Sequence, residues 1–181
     1  TILRKIGINI IIVHGGGKAI TKAMNEVGIE AVWVQGRRYT DERTLTIVEH
    51  TLVHKVNTPI CEMLGELNCK VMGMHTLRSC VLFAEVLRLP GENGRKIDLG
   101  LVGEVTEVNS ELLKTLCADG IIPVIASAAK DRAGERLNVN ADSAAGKVAG
   151  GVGAEKLVVV SDTHGVLRDI KDPESTISSL N

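Results

Sequence analysis

Three short runs of apolar, mostly β-branched residues limit what this chain can fold into: INIIIV at residues 8–13, IIPVIA at 121–126 and KLVVV at 156–160. Runs of this kind read as strands buried on both faces, as in a parallel sheet covered by helices. The stretches between them carry helical spacing. Residues 18–27 read as a helix ended by Gly28. From Glu42 to about Leu67 the apolar positions Leu45, Val48, Leu52, Val56 and Ile60 fall on one helical face. Thr40 and Asp41 offer N-caps there, and Pro59 is expected to kink or split the helix. Asn109 caps a helix running through Asp119, and residues 142–152 form a helix of small side chains. Shorter strands are expected at 31–34, 70–74, 80–89 and 101–108, with turns at 90–94 and 131–134. Strands and helices alternate throughout. The predicted class is α/β: a mainly parallel sheet sandwiched by helices in three layers.

Aromatics make up only 2 % of the chain (Trp33, Tyr39 and Phe83). The core is therefore aliphatic, and the site is expected to need no stacking. A net charge of −1 gives no polyanion-binding surface, so no nucleic-acid partner is expected. No apolar run approaches membrane-spanning length and no signal peptide opens the sequence, so no membrane partner is expected. Cys61, Cys69, Cys80 and Cys117 lack CxxC spacing. They read as reduced thiols of a cytoplasmic protein, with no metal site. His50 and His54 have i, i+4 ligand spacing but no HExxH pattern around them.

Four segments could carry chemistry. His14-Gly15-Gly16-Gly17 joins a strand to a helix, where backbone N–H groups and a helix N-terminus form an anion nest. A tight turn needing glycine's conformations explains the same residues. The segment is neither a Walker A loop nor a dinucleotide fingerprint, since both registers are absent. In Gly36-Arg37-Arg38-Tyr39-Thr40-Asp41, an arginine before a helix cap offers a fork to a carboxylate or phosphate; a solvated loop arginine is the alternative. Asn138 and Asn140 fall on the same side of a strand end, and Asp142 opens the next helix; taken alone, the asparagines are better accounted for by turn and cap chemistry. Ser161-Asp162-Thr163-His164-Gly165 follows the KLVVV run and reads otherwise as an ordinary loop. No hydrolase triad is readable.

Together these segments resemble the acetylglutamate kinases of the amino-acid kinase family. The matching stretches are IIVHGGG (11–17), QGRRYTDERTL (35–45), DLGLVGEVTEVNSELL (98–113), GIIPVIA (120–126) and LNVNADSAAGKVAGGVGAEKLVVVSDTHGVL (137–167). The resemblance implies ATP-dependent phosphorylation of the side-chain carboxylate of N-acetyl-L-glutamate, a step of arginine biosynthesis, with Mg²⁺ on the nucleotide. It implies that Gly16 and Gly17 cradle the transferring phosphoryl group and substrate, and that Arg38 and Asn138 bind substrate. Asp142 would organise catalytic lysines, and Ser161, Asp162 and Gly165 would begin the nucleotide site. It further implies a substrate-binding domain over residues 1–155 and the start of a nucleotide domain over 156–181. The family's first strand and both catalytic lysines would then lie outside the chain, which alone would not turn over. Lys18 stands where the family commonly has proline, and Met74-His75-Thr76-Leu77 departs from its usual turn. A homo-oligomer, dimer or hexamer, is expected. The alternatives are an N-acetyl-aminoadipate kinase of lysine biosynthesis and a non-catalytic acetylglutamate- or nucleotide-binding fragment. The chemistry suits the sequence, because a carboxylate nucleophile is already ionised and needs no general base.

Overall fold

A computed structural model describes residues 2–91, 95–161, 165–169, 171–172 and 174–179. At its centre β1 (Ile12–His14), β7 (Ile122–Ala126) and β4 (Val71–Met74) form a parallel sheet in the order β1-β7-β4. All five β7 residues are buried, as expected of a middle strand rich in β-branched residues. β1 is only half-buried, because it lies at an edge of this sheet.

Alternating side chains of β7 serve two cores. Ile125 packs with Leu113 and Leu116 of α5 (Ser110–Ala118) and with Ala144 and Val148 of α6 (Ala141–Val152). Ala126 joins Ile20 and Met24 of α2 (Gly17–Glu26) and Val48 and Leu52 of the long helix. The sheet is thus helix-covered on both sides, as the α/β reading anticipates. Small side chains on α6 allow its close approach. Its start is capped by Asn140, whose side chain accepts from the Ser143 amide at 2.8 Å.

The long helix is three segments: α3 (Glu42–His50), a π-helix (Thr51–Asn57) and α4 (Thr58–Glu66). Asp41 alone caps it, accepting from Thr44 at 2.7 Å; Thr40 is instead fully buried. Pro59 sits in the first turn of α4, directly after the π-helix, and Asn57 and Thr58 keep helical dihedrals across the junction. The extra residue per turn in the π-helix delivers Asn57, 2 % exposed, to the top of the sheet.

Four further strands close a small barrel in the order β5-β6-β9-β8. They are β5 (Leu82–Pro90), β6 (Lys96–Val108), β8 (Ala128–Lys130) and β9 (Arg136–Val139). Asp131 shapes the β8–β9 turn by accepting from Ala133 and Glu135. Leu82, Val105 and Leu137 from the barrel, with Val81 just ahead of β5, share the core of α5 and α6. A two-stranded hairpin, β2 (Trp33–Val34) and β3 (Arg37–Arg38), stands apart and leans on the barrel.

Residues 156–160 depart from expectation. They form no strand, and Val158 and Val160 are 71 % and 94 % exposed. A strand exists only where a neighbour completes its hydrogen bonds, and none of the described residues does so here. No helix among the described residues is long and apolar enough to cross a membrane.

Candidate active site

The carboxyl ends of parallel strands are where open α/β sheets bind ligands. Here β1 runs into the glycine turn, β7 is followed by Ser127, and β9 is followed by Asn140. A cleft of about 180 Å³ lies at these ends. Gly15, Gly16, Gly17, Arg38, Ser127, Asn138 and Asn140 line it, with Trp33 at its rim. A broader open depression of about 840 Å³ adjoins it across Gly17 and Trp33, along the Lys18 and Lys22 side of α2.

The glycines earn their places for different reasons. A Cβ on Gly15 would lie 3.0 Å from the Ala141 methyl, so α6 can approach only a bare backbone. A Cβ on Gly16 would lie 3.0 Å from Leu52 Cδ2. At Gly17 a Cβ would meet nothing within 4 Å. The N–H groups of Gly15 and Gly16 have no acceptor among the described residues, and Gly17 opens α2, where helix amides are unpaired. The result is a set of free donors at a helix N-terminus.

Arg38 is 5 % exposed, yet its partners are all neutral. Nη2 donates to Thr21 Oγ1 at 2.8 Å and to the Gly17 carbonyl at 3.3 Å, and Nη1 lies 3.1 Å from Met24 Sδ. The guanidinium also stacks 4.5 Å from the Trp33 ring centroid. Burial lowers its pKa from the ordinary arginine value. A buried cation without an anionic partner is costly, and an anion in the cleft relieves that cost.

Thr40 fastens this arrangement. Its hydroxyl donates to the Arg38 carbonyl at 2.9 Å and accepts from Asn138 Nδ2 at 3.1 Å. Asn138 thereby keeps its carbonyl oxygen without a described donor. Beneath the turn His14 is buried, with Nδ1 3.1 Å from the Gly15 carbonyl and Nε2 2.9 Å from Asn57 Nδ2. Burial lowers its pKa, the Gly15 bond opposes that, and His75 adds to the lowering.

Gly16, Gly17, Arg38 and Asn138 thus meet in one cleft. Asp142 is exposed in the first turn of α6, one residue beyond the cleft lining at Ala141. Ser161 and Gly165 are exposed and outside that lining, and Asp162 lies outside the described residues. Trp33, Ser127 and Thr21 went unread in the sequence. Trp33 stacks on Arg38, and the hairpin places it there: Gln35-Gly36 is a two-residue turn with positive φ at both positions, which pairs Trp33 across from Arg38. Ser127 follows a buried strand, just as the glycine turn does.

The chain is 42 % identical over 178 residues to acetylglutamate kinase of Methanocaldococcus jannaschii, covering 96 % of the chain and 59 % of the relative. It is 40 % identical to acetylglutamate kinase of Methanothermobacter thermautotrophicus, covering 99 % and 64 %. The chain therefore spans about six tenths of the length of these curated relatives. The crystal structure of smu.665 from Streptococcus mutans UA159 superposes with a TM-score of 0.80 at 30 % identity, covering 91 % of the chain and 64 % of that structure. N-acetylglutamate synthase from Neisseria gonorrhoeae shares the fold, with a TM-score of 0.78 at 21 % identity, over 97 % of the chain and 38 % of that structure. A profile described as the amino acid kinase family matches residues 1–181, and the chain belongs to that family.

Proposed function

We propose that the protein phosphorylates the side-chain carboxylate of N-acetyl-L-glutamate with ATP, as a step of arginine biosynthesis. The observation that carries the reading is buried Arg38, charged and with neutral partners only, beside the unpaired amides of the glycine turn. Two anion-binding elements of different kinds suit a ligand that offers both a carboxylate and a phosphoryl group. The relatives near 40 % identity favour N-acetyl-L-glutamate over a longer homologue. A cleft of about 180 Å³ is smaller than the ~300–1,000 Å³ of drug-sized sites and fits a small metabolite.

A side-chain carboxylate oxygen attacks the γ-phosphorus while the bond to the ADP oxygen breaks, giving an acyl phosphate and ADP without proton transfer. Arg38 holds the second carboxylate, Asn138 the backbone region of the substrate, and the amides of Gly16 and Gly17 take the developing phosphoryl charge. Asp142 serves to organise lysines, and Ser161, Asp162 and Gly165 belong to the nucleotide side. Mg²⁺ comes as the nucleotide's counter-ion. Among the described residues no three His, Cys, Asp or Glu converge as ligands, so none is assigned to it.

The test is ADP formation by the full-length gene product with N-acetyl-L-glutamate, N-acetyl-aminoadipate or glutamate. Activity is expected with the first, and activity with none of the three refutes the assignment. Arg38→Lys is expected to weaken N-acetyl-L-glutamate binding by about tenfold or more, because an ammonium cannot reproduce the bidentate fork. The assembly is read as a homo-oligomer: Met63 on α4 and Leu67 at its C-cap are 62 % and 56 % exposed. A monomer mass at sedimentation equilibrium would count against that.

A further inference from the structure

The chemistry just described makes no use of His14, a buried imidazole directly under the glycine turn. Its surroundings fix its tautomer. Asn57 Nδ2 carries two hydrogens and lies 2.9 Å from His14 Nε2 and 2.8 Å from the Val124 carbonyl oxygen. The carbonyl takes one hydrogen, so the other goes to Nε2, which must be the ring's lone-pair nitrogen. Nδ1 then carries the proton and donates to the Gly15 carbonyl, 3.1 Å away. The Asn57 amide is itself held. Cys61 Sγ donates to its Oδ1 at 3.6 Å, and Gly73 leaves room where any Cβ would collide with that oxygen.

The Gly15 carbonyl and the Gly16 N–H belong to one planar trans peptide, in which the two groups point opposite ways. A carbonyl turned down toward the buried ring sends the Gly16 N–H to the other side, where Gly16 lines the cleft. That N–H has no acceptor among the described residues. A peptide flanked by glycines rotates at little steric cost, so an unheld turn would spread this donor over many directions.

We propose that His14 is a positioning residue: by holding the Gly15 carbonyl it aims the Gly16 N–H into the cleft as a fixed donor to a bound anion. A donor aligned beforehand requires no reorganisation when the ligand or the transition state forms. The ligand side of this inference rests on the phosphoryl-transfer reading; the orientation of the peptide does not.

Two substitutions separate the two nitrogens. His14→Asn places an amide donor near the position of Nδ1, keeping the hold on Gly15 and losing Asn57. His14→Gln reaches toward Nε2, keeping a partner for Asn57 and losing the hold. In the unliganded full-length protein, selective ¹⁵N-histidine labelling reads the tautomer, and ¹⁵N-glycine labelling reads the Gly16 amide. The expected result is an Nδ1–H tautomer in the wild type. N-acetyl-L-glutamate affinity stays within about threefold in His14→Asn and falls about tenfold or more in His14→Gln. The Gly16 amide resonance is expected to shift only in His14→Gln. An Nε2–H tautomer, or equal weakening in both variants, overturns the proposal. Should His14→Gln fail to fold, the wild-type tautomer and the His14→Asn affinity decide. If the wild type binds no N-acetyl-L-glutamate, the functional reading fails, while the tautomer and the Gly16 resonance still decide the positioning role.

Discussion

Gly16 and Gly17 are adjacent and chemically identical, yet the structure assigns them opposite sensitivities. A methyl on Gly16 presses on Leu52, which is 0 % exposed and has little room to move. Gly16→Ala is expected to cost about 1–3 kcal/mol in urea unfolding. A methyl on Gly17 meets only the open cleft, and the position is the first of α2. Gly17→Ala is expected to leave stability unchanged or raise it by up to about 1 kcal/mol, while weakening N-acetyl-L-glutamate binding. Equal affinity in wild type and Gly17→Ala would remove Gly17 from the site. The histidines supply a pH dependence. Burial is the main cause that lowers the pKa of both His14 and His75 below the ordinary 6.5. Such groups bind protons more readily in the unfolded chain, so their stability contribution is complete above pH 6.5 and is lost as pH falls toward the folded values. Asp41, lowered by its cap bonds from 3.8, acts only in more acidic solution. The melting temperature is therefore expected to be level from about pH 7 to 8 and to decline below about pH 6.5. The decline should be shallower in His14→Asn. A rise on acidification would contradict the burial of these rings.

Among the elements, the π-helix was hidden from sequence, because its residues keep ordinary helical spacing and no residue type signals an extra residue per turn. Its effect is specific: it sets Asn57 between His14 and β7, against a gap left by Gly73. Gly73→Ala drives a methyl into the Asn57 oxygen, and both Asn57 hydrogens are already committed to His14 and Val124. A loss of about 1–3 kcal/mol is expected, with a perturbed His14 resonance marking the cause. Where elements carry local punctuation, the sequence was readable. Asp41 and Asn109 cap helices as expected, accepting from Thr44 and Leu112. The glycine turn, Arg38 and Asn138 also meet in one cleft, because each follows or opens a regular element. Long-range contacts have no such local mark: Thr40 stands at a cap position, but its hydroxyl bridges Arg38 and Asn138, a residue 98 positions away.

At the scale of the whole molecule, burial on both faces proved a property of partners, not of composition. IIPVIA and KLVVV look alike, yet β7 is the middle strand of a sheet and residues 156–160 stand exposed. The small barrel likewise could not be read from alternation, since its closure depends on β5–β8 and β6–β9 pairings between distant segments. That barrel lines part of the cleft with Asn138 of β9, and it also holds the Arg38 segment through a junction at Thr40. Thr40 donates its N–H to Leu99 at 3.0 Å and accepts from Leu101 at 2.6 Å, so the chain carrying Arg38 is pinned to β6 around Gly100. Gly100 has φ +70, and any Cβ there would collide with the Thr40 carbonyl. Gly100→Ala therefore combines left-handed strain with separation of the Arg38 segment from the barrel. It is expected to cost about 2 kcal/mol or more and to weaken N-acetyl-L-glutamate binding by about tenfold. Gly134 is the control, with φ +90 and open space around its would-be Cβ in the β8–β9 turn. Gly134→Ala carries similar backbone strain without the collision, so it is expected to lose about 1 kcal/mol and to bind as the wild type does. Paired unfolding and titration experiments distinguish the two. If Gly100→Ala loses stability but keeps its affinity, the barrel supports the fold without setting the position of Arg38.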